Sequence, residues 1–218
     1  MQKRIAVIDY GFGNIKSVVN ALKYCGAKPE VIALPQELAE FNGAILPGVG
    51  SFGPAAKFLK NSGFDAALRE YADSGKMLFG ICLGFQLFFT KGYENGEFDG
   101  LNLIPGSVKK FDFKNADLKI PHMGWNSLEI AHTAEAGKMF KGIKNGEAFY
   151  FVHSYYAMPE NKEQASSFCD YGVRFCSSVA YKNIWGSQFH PEKSGDKGLA
   201  ILNNFIDEVK ADDYNSGN

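Results

Sequence analysis

Apolar residues along this chain follow two rhythms. At 5–9, 31–34, 44–46 and 77–81 nearly every position is apolar, which predicts short strands buried on both faces. Between the first two runs Ile15, Val18, Val19 and Leu22 recur at helical spacing, and Gly26 ends that helix. The turn Gly11-Phe12-Gly13-Asn14 precedes it, with Asn14 placed to cap the helix. A glycine-rich loop is predicted over 47–53, then helical stretches around 55–59 and 66–71. Such alternation predicts an α/β fold with a largely parallel core sheet.

The run at 77–81 leads into Gly80-Ile81-Cys82-Leu83-Gly84, a strand-to-helix elbow whose helix is predicted to run through Gln86, Leu87 and Phe89. The second half changes character. Residues 108–113, 149–155, 173–181 and 184–189 read as strands and hairpins, with Asn183 in a turn. A last helix over about 198–209 puts Leu199, Leu202, Phe205 and Ile206 on one face. Residues 212–218 form a polar tail expected to fray. No repeat, low-complexity tract or linker interrupts the pattern, so one domain over 1–211 is expected.

Charge narrows the classes. Lys and Arg total 23 against 24 Asp and Glu, so no large basic face for nucleic acid is implied. No apolar run reaches membrane-spanning length, and the N-terminal strand lacks a signal-peptide layout. Cys25, Cys82, Cys169 and Cys176 have no short metal spacing, so free thiols in a reducing cytosol are expected. His122, His132 and His153 are scattered, and no metal site is expected.

The candidate chemistry centres on Cys82. A lone cysteine is usually a buried core thiol. Two flanking glycines at the end of an apolar strand favour a nucleophile instead, because small neighbours tolerate a strained elbow and a helix N-terminus favours the thiolate. His190-Pro191-Glu192 supplies a base and a carboxylate: the imidazole can take the thiol proton while Glu192 holds the other ring nitrogen. In an extended segment His190 and Glu192 project to the same face. By itself this run also fits a surface ion pair. The backbone N–H groups of Val49 and Gly50, in the Gly48-Val49-Gly50 loop, and of Leu83 are candidate oxyanion donors. A phosphate cradle is disfavoured because the P-loop Lys-Ser/Thr pair is absent. Gln86, one helical turn past the nucleophile, can sit near the pocket rim. Glu94 could bind a ligand ammonium or simply be solvated.

Together these runs resemble the class I, triad-type glutamine amidotransferases over nearly the whole chain. Pro47-Gly48-Val49-Gly50, the stretch from Gly80 to Gln86, and Gln188-Phe189-His190-Pro191-Glu192 carry the resemblance. It implies a single-domain, flavodoxin-like three-layer sandwich with a largely parallel central sheet and additional antiparallel strands. It further implies glutamine hydrolysis through a thioester on Cys82, with His190 and Glu192 completing the triad and no cofactor. Gly50, Gln86, Glu94 and the backbone at Ser154 and Tyr155 match glutamine-holding positions.

More specific runs are Asp9 to Asn14, Leu103 to Gly106, Pro121 to Asn126, Tyr150 to Tyr155 and Glu192-Lys193-Ser194. They are similar to members of the family that feed ammonia to a (β/α)8-barrel cyclase subunit, in a heterodimer serving histidine biosynthesis. Asn14, Pro121, Met123, Trp125 and Lys193 match positions at that contact; Met123 fits core packing equally well. Phe85 stands where methionine is common, and Gly92-Tyr93-Glu94 replaces a more acidic stretch. The alternatives are a paralogue serving a surface-sugar amidating enzyme, a cysteine peptidase or deglycase on the same scaffold, and a catalytically silent binding module.

Overall fold

A computed structural model describes residues 3–113 and 118–210. The first half alternates as its rhythm predicts: β1 (Ile5–Ile8), α1 (Ile15–Tyr24), β2 (Pro29–Ile32), β3 (Gly43–Gly48), α2 (Phe52–Ser62), α3 (Phe64–Asp73), β4 (Met77–Cys82) and a one-turn α4 (Leu83–Gln86). The second half is mostly strand: β5 (Phe89–Gly92), β6 (Phe98–Asp99), β7 (Ile104–Lys110), β8 (His122–Ser127), β9 (Glu129–Ile130), α5 (Ala134–Met139), β10 (Ala148–His153), β11 (Tyr155–Pro159), β12 (Ala165–Tyr171), β13 (Val173–Tyr181), β14 (Ile184–Ser187) and the closing α6 (Gly195–Glu208).

Strands β2-β1-β3-β4-β14 lie side by side, every neighbouring pair parallel. Each interior strand serves two cores. Ile5, Val7, Ile45 and Phe79 face α1 and α6, packing with Val18, Leu22 and Phe205. Ala6, Ile8, Ala44 and Leu78 face the opposite side, with Leu59 of α2 and Leu68 of α3. Two-faced burial explains why these strands read as unbroken apolar runs. The strand order reverses between β1 and β3, and connections leaving such a reversal in opposite directions open a crevice at the carboxyl ends of the strands. Beyond β14 the sheet continues antiparallel through β13, β11 and β7, while β8 and β10 form a separate two-stranded sheet.

Several boundaries differ from the sequence reading. The loop expected at 47–53 shrinks to Val49-Gly50-Ser51, because β3 runs through Gly48 and α2 begins at Phe52. That early start has a cap: the Glu94 carboxylate accepts the Phe52 N–H at 2.7 Å. The helix after Cys82 stops at Gln86, and Phe89 opens β5. Pairing wins over local helical pattern here, since the carbonyls of Leu87 and Phe88 accept from the N–H groups of Leu101 and Leu103. The predicted strand at 149–155 is divided at Ser154, with β10 pairing to β8 and β11 to β7. Strand 108–113 begins earlier, at Ile104, and ends at Lys110. Residues 212–218 lie outside the described residues.

Candidate active site

Cys82 closes β4 with φ +54° and ψ −107°, a conformation that L residues with a side chain rarely adopt. The neighbouring glycines make this elbow possible. A Cβ on Gly84 would lie 1.8 Å from the Leu46 carbonyl oxygen, and one on Gly48 would lie 2.6 Å from the Gly84 nitrogen. The elbow therefore rests backbone against backbone on β3. At the crevice end of β4, it lifts the thiol out of the turn as the first residue before α4.

His190 follows β14, the parallel neighbour of β4. Its N–H donates to the Tyr150 carbonyl at 2.9 Å, and its own carbonyl accepts from the Ser194 hydroxyl at 2.7 Å. Imidazole Nδ1 is 2.8 Å from Glu192 Oε1, with both side chains almost fully enclosed. The segment is a single 3-10 turn (Pro191–Lys193), so Glu192 reaches back to the ring through a turn and not along an extended strand. With Nδ1–H donated to the carboxylate, Nε2 is the nitrogen left for chemistry. It is buried without a hydrogen-bond partner among the described residues. Burial by itself would lower the His190 pKa. The Cys82 sulfur and the Glu192 carboxylate outweigh it and raise the pKa above its ordinary value.

These groups open on a cleft of about 370 Å³. Its walls bring together Val49, Gly50, Cys82, Leu83, Gln86 and Glu94 from the first half with Pro121, Ser154, Tyr155 and His190 from the second. Gln86 is a buried wall residue, deeper than the expected rim position: its amide nitrogen donates to the Tyr155 carbonyl at 3.0 Å and to Gln188 Oε1 at 2.8 Å. Glu94 lines the cleft while one of its oxygens caps α2. Val49 departs from its expected role. Its N–H donates to the Phe12 carbonyl at 2.7 Å, so in this conformation it is not offered to an oxyanion.

Sequence reasoning missed three features of the site. Gln188 is fully buried between Gln86 and the nucleophile, its amide nitrogen 3.6 Å from Cys82 Sγ. Its place two residues before His190 was the available signal. The Val152 carbonyl lies 4.0 Å from the same sulfur. His122 and His153, read as scattered, are paired across β8 and β10: His122 Nδ1 is 3.0 Å from His153 Nε2, and His153 Nδ1 is 2.8 Å from the Tyr155 carbonyl. Burial lowers their pKa values to about 4 and about 3. Among the described residues no group of three or more His, Cys, Asp or Glu is arranged to hold a metal ion.

Of the residues expected to face a partner, Pro121 lines the cleft, and Asn14, Met123, Trp125 and Lys193 are exposed. Met123 and Trp125 alternate along β8 and are 63% and 59% exposed, which rules out the core alternative for Met123 in this chain. Trp125 meets the Tyr150 ring edge-on at 6.2 Å, and Lys193 Nζ lies 6.0 Å over that ring. Asn14 is exposed and caps α1 by accepting the Ser17 N–H. Pro121 is exposed at the cleft edge. The other cysteines are free thiols, and burial pushes Cys169 and Cys176 up to about 12.

The glutamine amidotransferase class-I family model matches residues 6–209. The imidazole glycerol phosphate synthase subunit HisH of Moorella thermoacetica is 46% identical over 206 residues, 94% of this chain and 95% of that one. HisH of Methanosarcina acetivorans is 44% identical over 207 residues, 94% of this chain and 98% of its own. Among solved structures, PurLQS from Thermotoga maritima superposes with a TM-score of 0.74 at 21% identity, covering 96% of this chain and 100% of that chain. The glutaminase domain of Trypanosoma brucei CTPS follows the same fold, with a TM-score of 0.65 at 15% identity over 96% of both chains. The family model and near-full-length identity above 40% agree: the chain belongs to the class I glutamine amidotransferases and, within them, to the HisH subunits of imidazole glycerol phosphate synthase.

Proposed function

We propose that this glutaminase works through Cys82, His190 and Glu192 and passes its ammonia to a (β/α)8-barrel cyclase in a heterodimer. The observation that carries the reading is the elbow thiol and the Glu192-held imidazole facing one cleft. Cys82 sulfur attacks the side-chain amide carbon of glutamine. The C–N bond of the tetrahedral adduct breaks as His190 Nε2–H protonates the departing ammonia. The resulting thioester is hydrolysed by water that His190 deprotonates, releasing glutamate and the thiol. Gly50, Gln86, Glu94 and the backbone at Ser154 and Tyr155 hold the substrate's α-amino and α-carboxylate groups, and Leu83 N–H supplies one oxyanion donor.

Ammonia loose in neutral water is almost entirely ammonium, which is not nucleophilic, so the product needs a closed route. The partner covers the cleft on the side marked by Asn14, Pro121, Met123, Trp125 and Lys193, where exposed Met and Trp are suitable interface anchors. The domain spans residues 1–211 with a polar tail beyond. The reading places the protein in the cytoplasm, in keeping with free thiols and with no helix among the described residues long and apolar enough to cross a membrane.

Val49 sets the resting state. With its N–H held by Phe12, an oxyanion hole using that donor is incomplete until the loop turns. The test is glutamate release by the purified chain, alone and with a histidine-pathway cyclase plus its ribonucleotide ligand. A large rise only with both is expected. Equal turnover in every condition contradicts partner activation. No turnover in any, with the Cys82 thiol intact, contradicts the assigned pairing.

A further inference from the structure

We infer that the Tyr10 hydroxyl is a positioning group for the oxyanion loop, donating a hydrogen bond to a backbone carbonyl of Gly48-Val49-Gly50 when that segment turns an N–H toward the cleft. The inference rests on the proposed function and adds a residue to it. Tyr10 lies just past β1, 1% exposed, and its hydroxyl has no hydrogen-bond partner among the described residues. A buried polar group left unpaired is destabilising, a penalty that phenylalanine at this position would not carry.

Its location says what the hydroxyl can reach. A Cβ built on Gly48 would meet the Tyr10 oxygen at 2.6 Å, the Gly84 nitrogen at 2.6 Å and the Leu83 Cβ at 2.8 Å. The hydroxyl, the base of the oxyanion loop and the first turn after Cys82 thus converge on one side-chain-free spot. The ring is held from the other side by Phe12, centroid to centroid 5.6 Å, and by Phe58 at 6.5 Å. Phe12 is also the residue whose carbonyl holds the Val49 N–H. In a peptide unit the N–H and C=O point in opposite directions. When Val49 N–H leaves Phe12 for the cleft, the Gly48 carbonyl swings the other way and needs a donor. Tyr10 is the idle donor already in place. Tyr10 is buried and does not line the cleft, so it acts through the loop.

The experiment compares wild type with Tyr10→Phe, which keeps the ring and its packing. Each chain is melted alone, then assayed for glutamine hydrolysis in complex with the cyclase and its ribonucleotide ligand. Expected results are a Tm no lower than wild type and a kcat in the complex reduced about tenfold, the loss of one hydrogen bond made only in the active form. KM for glutamine and the cyclase rate with added ammonium stay unchanged, a split that simple structural damage would not give. A Tyr10→Phe complex with wild-type kcat overturns the inference alone, as does a lowered Tm, which would show the hydroxyl already bonded at rest. A wild-type complex that does not hydrolyse glutamine overturns the proposed function, and the inference with it.

Discussion

A thiol presented at φ +54° depends on what its neighbours lack. Gly84 has no room for a Cβ against Leu46, and the obstacle is backbone, which cannot rotate aside as a side chain would. Gly84→Ala is therefore expected to destabilise the chain by about 3 kcal/mol, lowering Tm by roughly 6–12 °C, and to abolish glutaminase activity by displacing Cys82. A melt within 2 °C of wild type would show that the elbow relaxes freely. Cys82→Ser separates chemistry from assembly: glutamine-dependent product formation should be lost while the partnered cyclase still uses added ammonium salts. Both activities falling together would place Cys82 in the assembly.

Elements differ in how openly the sequence declares them. Strands β1, β3 and β4 are buried on both faces, so unbroken apolar runs reveal them. The nucleophile elbow carries its own punctuation in Gly80 and Gly84. Strand β8 was missed because it alternates: His122 is buried while Met123 and Trp125 project outward, and Gly124 interrupts any apolar count. Strand β12 was missed for another reason. Its core-facing positions include Ser166 and Ser167, whose hydroxyls bond to Ser177 and Ser178 of β13 at 2.6–2.7 Å, so burial there is polar. The candidate residues Cys82, His190 and Glu192 stand out in two short runs of the sequence. The Gln188 contact and the Val49–Phe12 bond do not, because they depend on how strands far apart in sequence are stacked. The β8–β10 pair also carries a prediction of its own. Trp125→Ala removes an exposed ring, so stability should move by no more than about 0.5 kcal/mol. Affinity for the cyclase should fall by about 2 kcal/mol, roughly thirtyfold in Kd. A chain that melts far lower yet pairs normally would make Trp125 a core residue.

At the scale of the whole molecule, acid stability tests how β8 and β10 are held to the cleft wall. His122 and His153 join β8 and β10 to the cleft wall through a one-directional chain. His153 Nδ1–H donates to the Tyr155 carbonyl, which fixes His153 Nε2 as the acceptor for His122 Nδ1–H, while His122 Nε2 is left to accept from Asn126 at 3.4 Å. Each ring nitrogen already has its role, so an added proton turns an acceptor into a second donor facing a donor. Among the described residues the surroundings are aromatic: His122 is stacked on Tyr171 at 4.0 Å and Phe151 at 4.8 Å, with Phe111 and Phe175 edge-on. Burial accordingly lowers the two values to about 4 and about 3. The unfolded chain, titrating near pH 6.5, takes up protons that the folded chain refuses until near pH 4. Stability then rises with pH across this window and is lost as pH falls from about 6.5 toward 4. His190 shifts the opposite way: well below pH 6.5 both states hold its proton, and nearer pH 7 its slope opposes that of the pair and is shared by wild type and variant. His122→Phe keeps the stack and removes one titrating ring. Denaturant unfolding between pH 7 and pH 4.5 should give a shallower decline for this variant, by up to about 1.4 kcal/mol per pH unit. Parallel curves for the two chains would mean that acid unfolding begins elsewhere and that the histidine pair is not what ties β8 and β10 to the cleft.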